Sequence, residues 1–67
     1  MAMLKVIEVL AQSTKSWEDA AQVAVTTASK SVRNIKSIFI KNMEATVSNG
    51  KLENYRINAK ISFVLDD

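Results

Sequence analysis

The chain has 67 residues with no Cys, no His, no Pro, one Gly and a net charge of +2. One domain spanning 1–67 fits that length, and folding it removes only ~60% of the surface that the unfolded chain exposes. The composition excludes a disulfide framework, a thiolate or imidazole metal centre and a histidine general base, so an enzyme is not expected.

Leu4-Lys5-Val6-Ile7-Glu8-Val9-Leu10 is short, β-branched and apolar at both parities. This predicts a strand with something packed on each face. The polar run Gln12-Ser13-Thr14-Lys15 follows, and then Ser16-Trp17-Glu18-Asp19 reads as a capping box: the Ser16 hydroxyl accepts from the Asp19 amide while the Asp19 carboxylate reaches back. Trp17, Ala20, Ala21, Ala24, Val25, Ala28 and Val32 recur at spacings of three and four. They predict an amphipathic helix whose alanines allow close approach to a sheet and whose bulky anchor is Trp17. Lys30 and Arg33 complement the dipole of a helix that ends near Arg33-Asn34.

Ile35 to Ser48 and Lys51 to Leu65 are two strand-like runs joined by Asn49-Gly50, the dipeptide of a type I′ hairpin turn. Such a loop pairs Ser48 with Lys51 and Val47 with Leu52, so odd residues of the first strand share a face with even residues of the second. One face then holds Tyr55, Ile57, Ala59, Ile61, Phe63 and Leu65 with Ile38 and Ile40, and receives the helix. The other mixes Ser37, Phe39, Lys41, Met43, Ala45 and Val47 with Leu52, Asn54, Arg56, Asn58, Lys60, Ser62 and Val64. On that face Phe39, Met43, Val47, Leu52 and Val64 read as an oligomer interface. The alternative is a β-bulge that shifts the register midway and carries these side chains into the core. Because the core of so small a domain is marginal, self-association is the expected supplement.

The order strand, helix, long hairpin carries local wording as well: Lys5-Val6-Ile7-Glu8-Val9, Ser16-Trp17-Glu18-Asp19-Ala20-Ala21, and Tyr55-Arg56-Ile57 leading to Ser62-Phe63-Val64-Leu65. Over nearly its whole length the chain resembles the dodecins. The resemblance implies an α+β fold, a three-stranded antiparallel sheet wrapped around one helix, and twelve subunits forming a hollow sphere. It also implies a non-enzymatic role, in which flavin-binding members hold FMN or riboflavin in pairs at subunit interfaces. Those members read about Arg-Ala-Leu-Asp-Trp-Phe-Glu-Val after the helix, and the Trp stacks on the flavin. The matching stretch here is Arg33-Asn34-Ile35-Lys36-Ser37-Ile38-Phe39-Ile40, which places Ser37 at the stacking position. Arg56 stands where those members have a Gln that bonds the flavin's pyrimidine edge. Loss of a stacked ring face removes roughly 1–3 kcal/mol per contact, so flavin binding is expected to be weak or lost. Ser-Trp-Glu at the helix cap and Tyr-Arg-Ile in the last strand make the chain most similar to the branch called calcium dodecins.

Calcium takes six to eight oxygen ligands, and no EF-hand loop is present among the dispersed acids Glu8, Glu18, Asp19, Glu44, Glu53, Asp66 and Asp67. Symmetry-related copies of one carboxylate could supply a site, with Glu8 and Glu44 as candidates. Arg56 and Lys60 share a strand face and suit a phosphate or carboxylate, or pair between subunits with Glu44, Glu53 or a C-terminal Asp. Ser48-Asn49-Gly50-Lys51 matches a bare Ser-x-x-Lys spacing, but on a hairpin tip without oxyanion donors it is a chance match. Dispersed Lys and Arg with no interleaved aromatics predict no nucleic-acid partner. No apolar run approaches the ~20 residues of a membrane span. The first residues lack a signal-peptide pattern, so the expected location is the cytoplasm. The functional expectation is a ligand-sequestering homododecamer with Ser37, Arg56 and Lys60 at the pocket, the rivals being an ion-storing or purely structural assembly and a monomeric protein-binding module.

Overall fold

The run from Lys51 to Leu65, apolar at every odd position from Tyr55 onward, becomes the middle strand of a three-stranded sheet. A computed structural model describes residues 3–65 as β1 (Met3–Ser13), α1 (Trp17–Ala28), β2 (Ile35–Ser48) and β3 (Lys51–Leu65), with antiparallel strand order β1-β3-β2. The expected α+β class and element order are those observed. Asp66 and Asp67, counted above among the acids, lie outside the described residues.

Ser16 is extended and its hydroxyl accepts the Asp19 N–H at 2.9 Å, as the capping pattern predicts. The Asp19 carboxylate, however, takes the Ser13 hydroxyl at 2.5 Å, and Ser13 Oγ in turn accepts the Lys15 N–H at 2.9 Å. Because β1 runs on through Ser13, beyond the Leu10 end expected from its apolar run, this bond ties the end of the strand to the first turn of the helix. The helix ends at Ala28 rather than near Arg33-Asn34. The Ser29 hydroxyl bonds back to the Val25 carbonyl at 2.7 Å, and the N–H groups of Ser31 and Val32 both converge on the Ala28 carbonyl. Serine hydroxyls compete in this way with continued helix, so Lys30 and Arg33 fall past the last turn. Asn34, at φ 63, then redirects the chain into β2.

One side of the sheet carries α1. Ala20 is buried against Ile57 and Ala59, with Val9, Ala11, Trp17, Ala21, Ile38 and Ile40 packed around them, and Ala24, Ile61 and Phe63 are buried as well. The helix can lie this close because alanine presents only a methyl group. At the far end Asn49 (φ 52) and Gly50 (φ 76) make the expected I′ turn, in which both central residues need positive φ.

The hairpin register agrees with the turn-derived one at Ser48–Lys51 and Val47–Leu52, and again from Ile40–Ala59 to Ser37–Ser62. Between those stretches it is displaced by one residue. Glu53 is the extra residue on β3, and Lys41 and Lys36 are the extra residues on β2. At the first bulge the Thr46 hydroxyl accepts the Asn54 N–H at 3.1 Å, so a side chain takes over a ladder bond. The consequence is a change of face: Met43 now stands opposite Ile57 and Ala45 opposite Tyr55, on the helix side rather than the outer side. The bulge alternative is therefore half right. The register shifts, yet Phe39, Met43, Val47 and Leu52 all stay exposed: Phe39 lies on the face away from α1, and the other three lie along the hairpin beyond the reach of the helix.

Candidate functional site

The sheet face turned away from α1 is built in rungs across β1, β3 and β2. Gln12, Arg56 and Glu44 form one rung; Leu10, Asn58 and Asn42 the next; then Glu8, Lys60 and Phe39; then Val6, Ser62 and Ser37; and Leu4 stands beside Val64. Opposed residues share a face, so the positions singled out as a pocket, Ser37, Lys60 and Arg56, do lie on one surface. They are not adjacent on it. Ser62, the partner of Ser37, and Arg56 are separated along β3 by ~20 Å at the usual strand rise of ~3.3 Å per residue. Arg56 and Lys60 stand ~13 Å apart on the same measure, too far to grip one phosphate together.

Each position has defined partners. The Ser37 and Ser62 hydroxyls are hydrogen-bonded to one another, with Val6 on the other side of Ser62. The site where a stacking ring would lie is thus a small, polar rung. Arg56 Nε donates to Gln12 Oε1 at 2.9 Å, which orients the half-buried guanidinium. Lys41 Nζ lies 3.7 Å from Glu8 Oε2 with both side chains about half exposed. A pair this wet contributes about 0–1 kcal/mol. In the middle of the face Asn58 Oδ1 is buried without a hydrogen-bond partner among the described residues, at a typical cost of about 1–3 kcal/mol.

Among the described residues, neither candidate carboxylate lies in a cluster of acids that could hold a cation. Glu8 stands opposite Lys60 and beside Lys41, and Glu44 stands opposite Arg56. Among the described residues no three of Asp and Glu converge.

The face is apolar enough to notice. Leu4, Val6, Leu10 and Phe39 are each more than half exposed, while Val64 is half-buried between its neighbours. Two hollows were not visible to sequence reasoning. A groove of about 480 Å³ runs between β1 and α1, lined by Val9, Leu10, Val23, Thr27 and Ser31 among others. A smaller one of about 150 Å³ lies among Trp17, Ile40, Met43 and Ile57. The spacing of Val23 and Thr27 along the helix was the available signal for the first; the second exists only because the bulges bring Met43 to the helix side. No helix among the described residues is long and apolar enough to cross a membrane.

This arrangement, one helix on a three-stranded antiparallel sheet with a half-apolar outer face, is a known one. A family model described as dodecin matches residues 3–66. A calcium dodecin of Mycobacterium tuberculosis is 35% identical over 63 residues, 94% of this chain and 89% of that protein. The crystal structure of that calcium dodecin, described as calcium chelating with a calcium-binding site, superposes with a TM-score of 0.82 over 96% of this chain and 91% of the other, again at 35% identity. A mutant of the Thermus thermophilus dodecin superposes at TM-score 0.95 and 22% identity, covering all of both chains. The Streptomyces coelicolor dodecin does so at 0.94 and 23%, over 98% of this chain and 94% of that one. These last two likenesses speak for the fold. The chain belongs to the dodecin family, near its calcium dodecin branch.

Proposed function

We propose that this chain is a non-enzymatic subunit of a homododecameric shell in the cytoplasm that encloses a small ligand between chains and sequesters it. The observation that carries the reading is the spread of Ser37, Lys60 and Arg56 along one open face. A ligand that touches both ends of a ~20 Å span on a flat sheet is enclosed only when a second chain covers it. Phe39 and Val64 on that face, with Met43, Val47 and Leu52 on the uncovered hairpin, are the proposed contacts between subunits. Flavin is held weakly, since Ser37 offers no ring to stack on and Arg56 offers donors only. The test is riboflavin fluorescence on titration with the sized oligomer. Saturable quenching at a fixed ratio per subunit pair supports flavin storage; unchanged fluorescence at micromolar protein removes flavin as the ligand.

A second reading is favoured by one observation, the 35% identity to a protein called calcium dodecin. In it the shell holds calcium, and copies of Glu8 or Glu44 from different subunits supply carboxylate oxygens to one ion. Melting with and without a chelator decides it.

A further inference from the structure

The Asn49-Gly50 tip of the hairpin has no part in the ligand face described above. Both residues are exposed, at φ 52 and 76, and a carbon added at Gly50 would meet nothing within 4 Å. In a two-residue loop the closing ladder bonds belong to Ser48 and Lys51, so the Gly50 N–H stands outside the ladder. Among the described residues neither that N–H nor the Asn49 side-chain amide takes part in a hydrogen bond. A backbone nitrogen and a side-chain amide carbon one residue apart are thus both untied and in water, with no side chain on Gly50 to hold them apart.

We propose that Asn49 is a site of spontaneous deamidation, a modification that turns the neutral tip acidic. The Gly50 backbone nitrogen attacks Asn49 Cγ and gives up its proton, and the bond from Cγ to the side-chain nitrogen breaks, so that ammonia leaves and a five-membered succinimide remains. Water then adds to one of the two ring carbonyls. Opening on one side gives an aspartyl residue; opening on the other gives an isoaspartyl link, in which the chain runs through Cγ. Nothing is oxidised or reduced. Ring closure requires Asn49 to rotate out of its turn geometry, and only the Ser48–Lys51 pair has to open for this. The tip lies beyond the reach of the helix, where few contacts oppose local opening. The products differ in consequence. Asp-Gly suits the same I′ turn, so the aspartyl form keeps the register and sets a carboxylate beside Lys51. The isoaspartyl form adds one carbon to the backbone at position 49, which a two-residue loop that fixes the register does not accommodate.

Trypsin cuts after Lys41 and Lys51, so one peptide, residues 42–51, carries the tip. After incubation of the sized protein in warm, mildly alkaline buffer, that peptide is expected to gain one mass unit and to separate into two forms, one of them a substrate for isoaspartyl methyltransferase. Fragment ions are expected to place the gain on Asn49 and not on Asn42. Because opening at a loop tip costs little, the rate is expected to lie within about tenfold of that in a synthetic peptide of the same residues. Asn49→Asp is expected to keep the fold by circular dichroism and to show no further gain in mass. A rate more than about tenfold below the free peptide's, a gain that falls on Asn42, or one that continues in Asn49→Asp overturns the proposal.

Discussion

Trp17 donates its indole N–H to the backbone carbonyl of Glu44 at 2.8 Å, joining the first turn of the helix to the middle of β2. Its ring meets Tyr55 edge-on, with centroids 4.9 Å apart and an interplanar angle of 77°. Tyr55 stands opposite Ala45, so the indole spans two strands within the stretch that the bulges displace.

Replacing Trp17 separates the bond from the packing. Trp17→Phe keeps most of the ring and loses the N–H, and is expected to lower unfolding stability by about 1 kcal/mol. Trp17→Ala also opens the small hollow beside Met43 and Ile57 and is expected to cost about 3 kcal/mol. Denaturant titrations at one fixed protein concentration measure both, since self-association makes stability concentration-dependent. Equal losses for the two variants would show that ring packing contributes nothing here.

Ser13 is buried and serves two partners, the Asp19 carboxylate and the Lys15 N–H. Ser13→Ala leaves both without it and is expected to destabilise by about 1–3 kcal/mol. Ser16→Ala, which removes the ordinary N-cap, is expected to cost about 1 kcal/mol. A Ser13 variant as stable as wild type in urea would deny that the strand-to-helix turn depends on this bond.

Ser37→Trp combined with Arg56→Gln restores the ring and the amide that flavin-binding dodecins are described above as carrying. If the interface between chains has kept its shape, riboflavin affinity is expected to rise by roughly 5- to 150-fold, the equivalent of one stacked contact. Fluorescence titration of the double variant against wild type reads this directly. No gain would mean that the Ser37 and Arg56 rungs do not converge on one ligand in the assembly.

Calcium binding between chains is expected to raise the melting temperature, because a ligand at 100 times its dissociation constant stabilises by about 2.7 kcal/mol. A chelator removes that increment, and Glu8→Gln or Glu44→Gln abolishes it for whichever carboxylate is a ligand. A transition indifferent to calcium, chelator and both substitutions eliminates the ion-holding reading.

Element order, the Ser16 cap, the I′ turn and the apolar floor of β3 were legible in the residues alone. Each is a short-range property: a hydroxyl three residues from an amide, two residues that accept positive φ, or an alternation of period two. The candidate pocket was legible only as a set of positions on one face, since alternation assigns faces and register assigns distance. The helix stops short of the end its stripe predicts, because the stripe continues to Val32 whereas Ser29, just past Ala28, turns its hydroxyl on the Val25 carbonyl.

What the amino-acid sequence by itself determined is thus the set of elements, the single helix-bearing face and the shortage of core that asks for a partner. Only the tertiary structure decided that Asp19 bonds to Ser13, that Lys36, Lys41 and Glu53 become bulges, and that Met43 and Ala45 turn toward the helix. The physical reason is that one extra residue in a strand reverses every side chain beyond it. The bulges at Lys41 and Glu53 bracket the stretch in which Trp17 bonds Glu44 and meets Tyr55, a pairing of residues far apart in sequence that no local stretch contains.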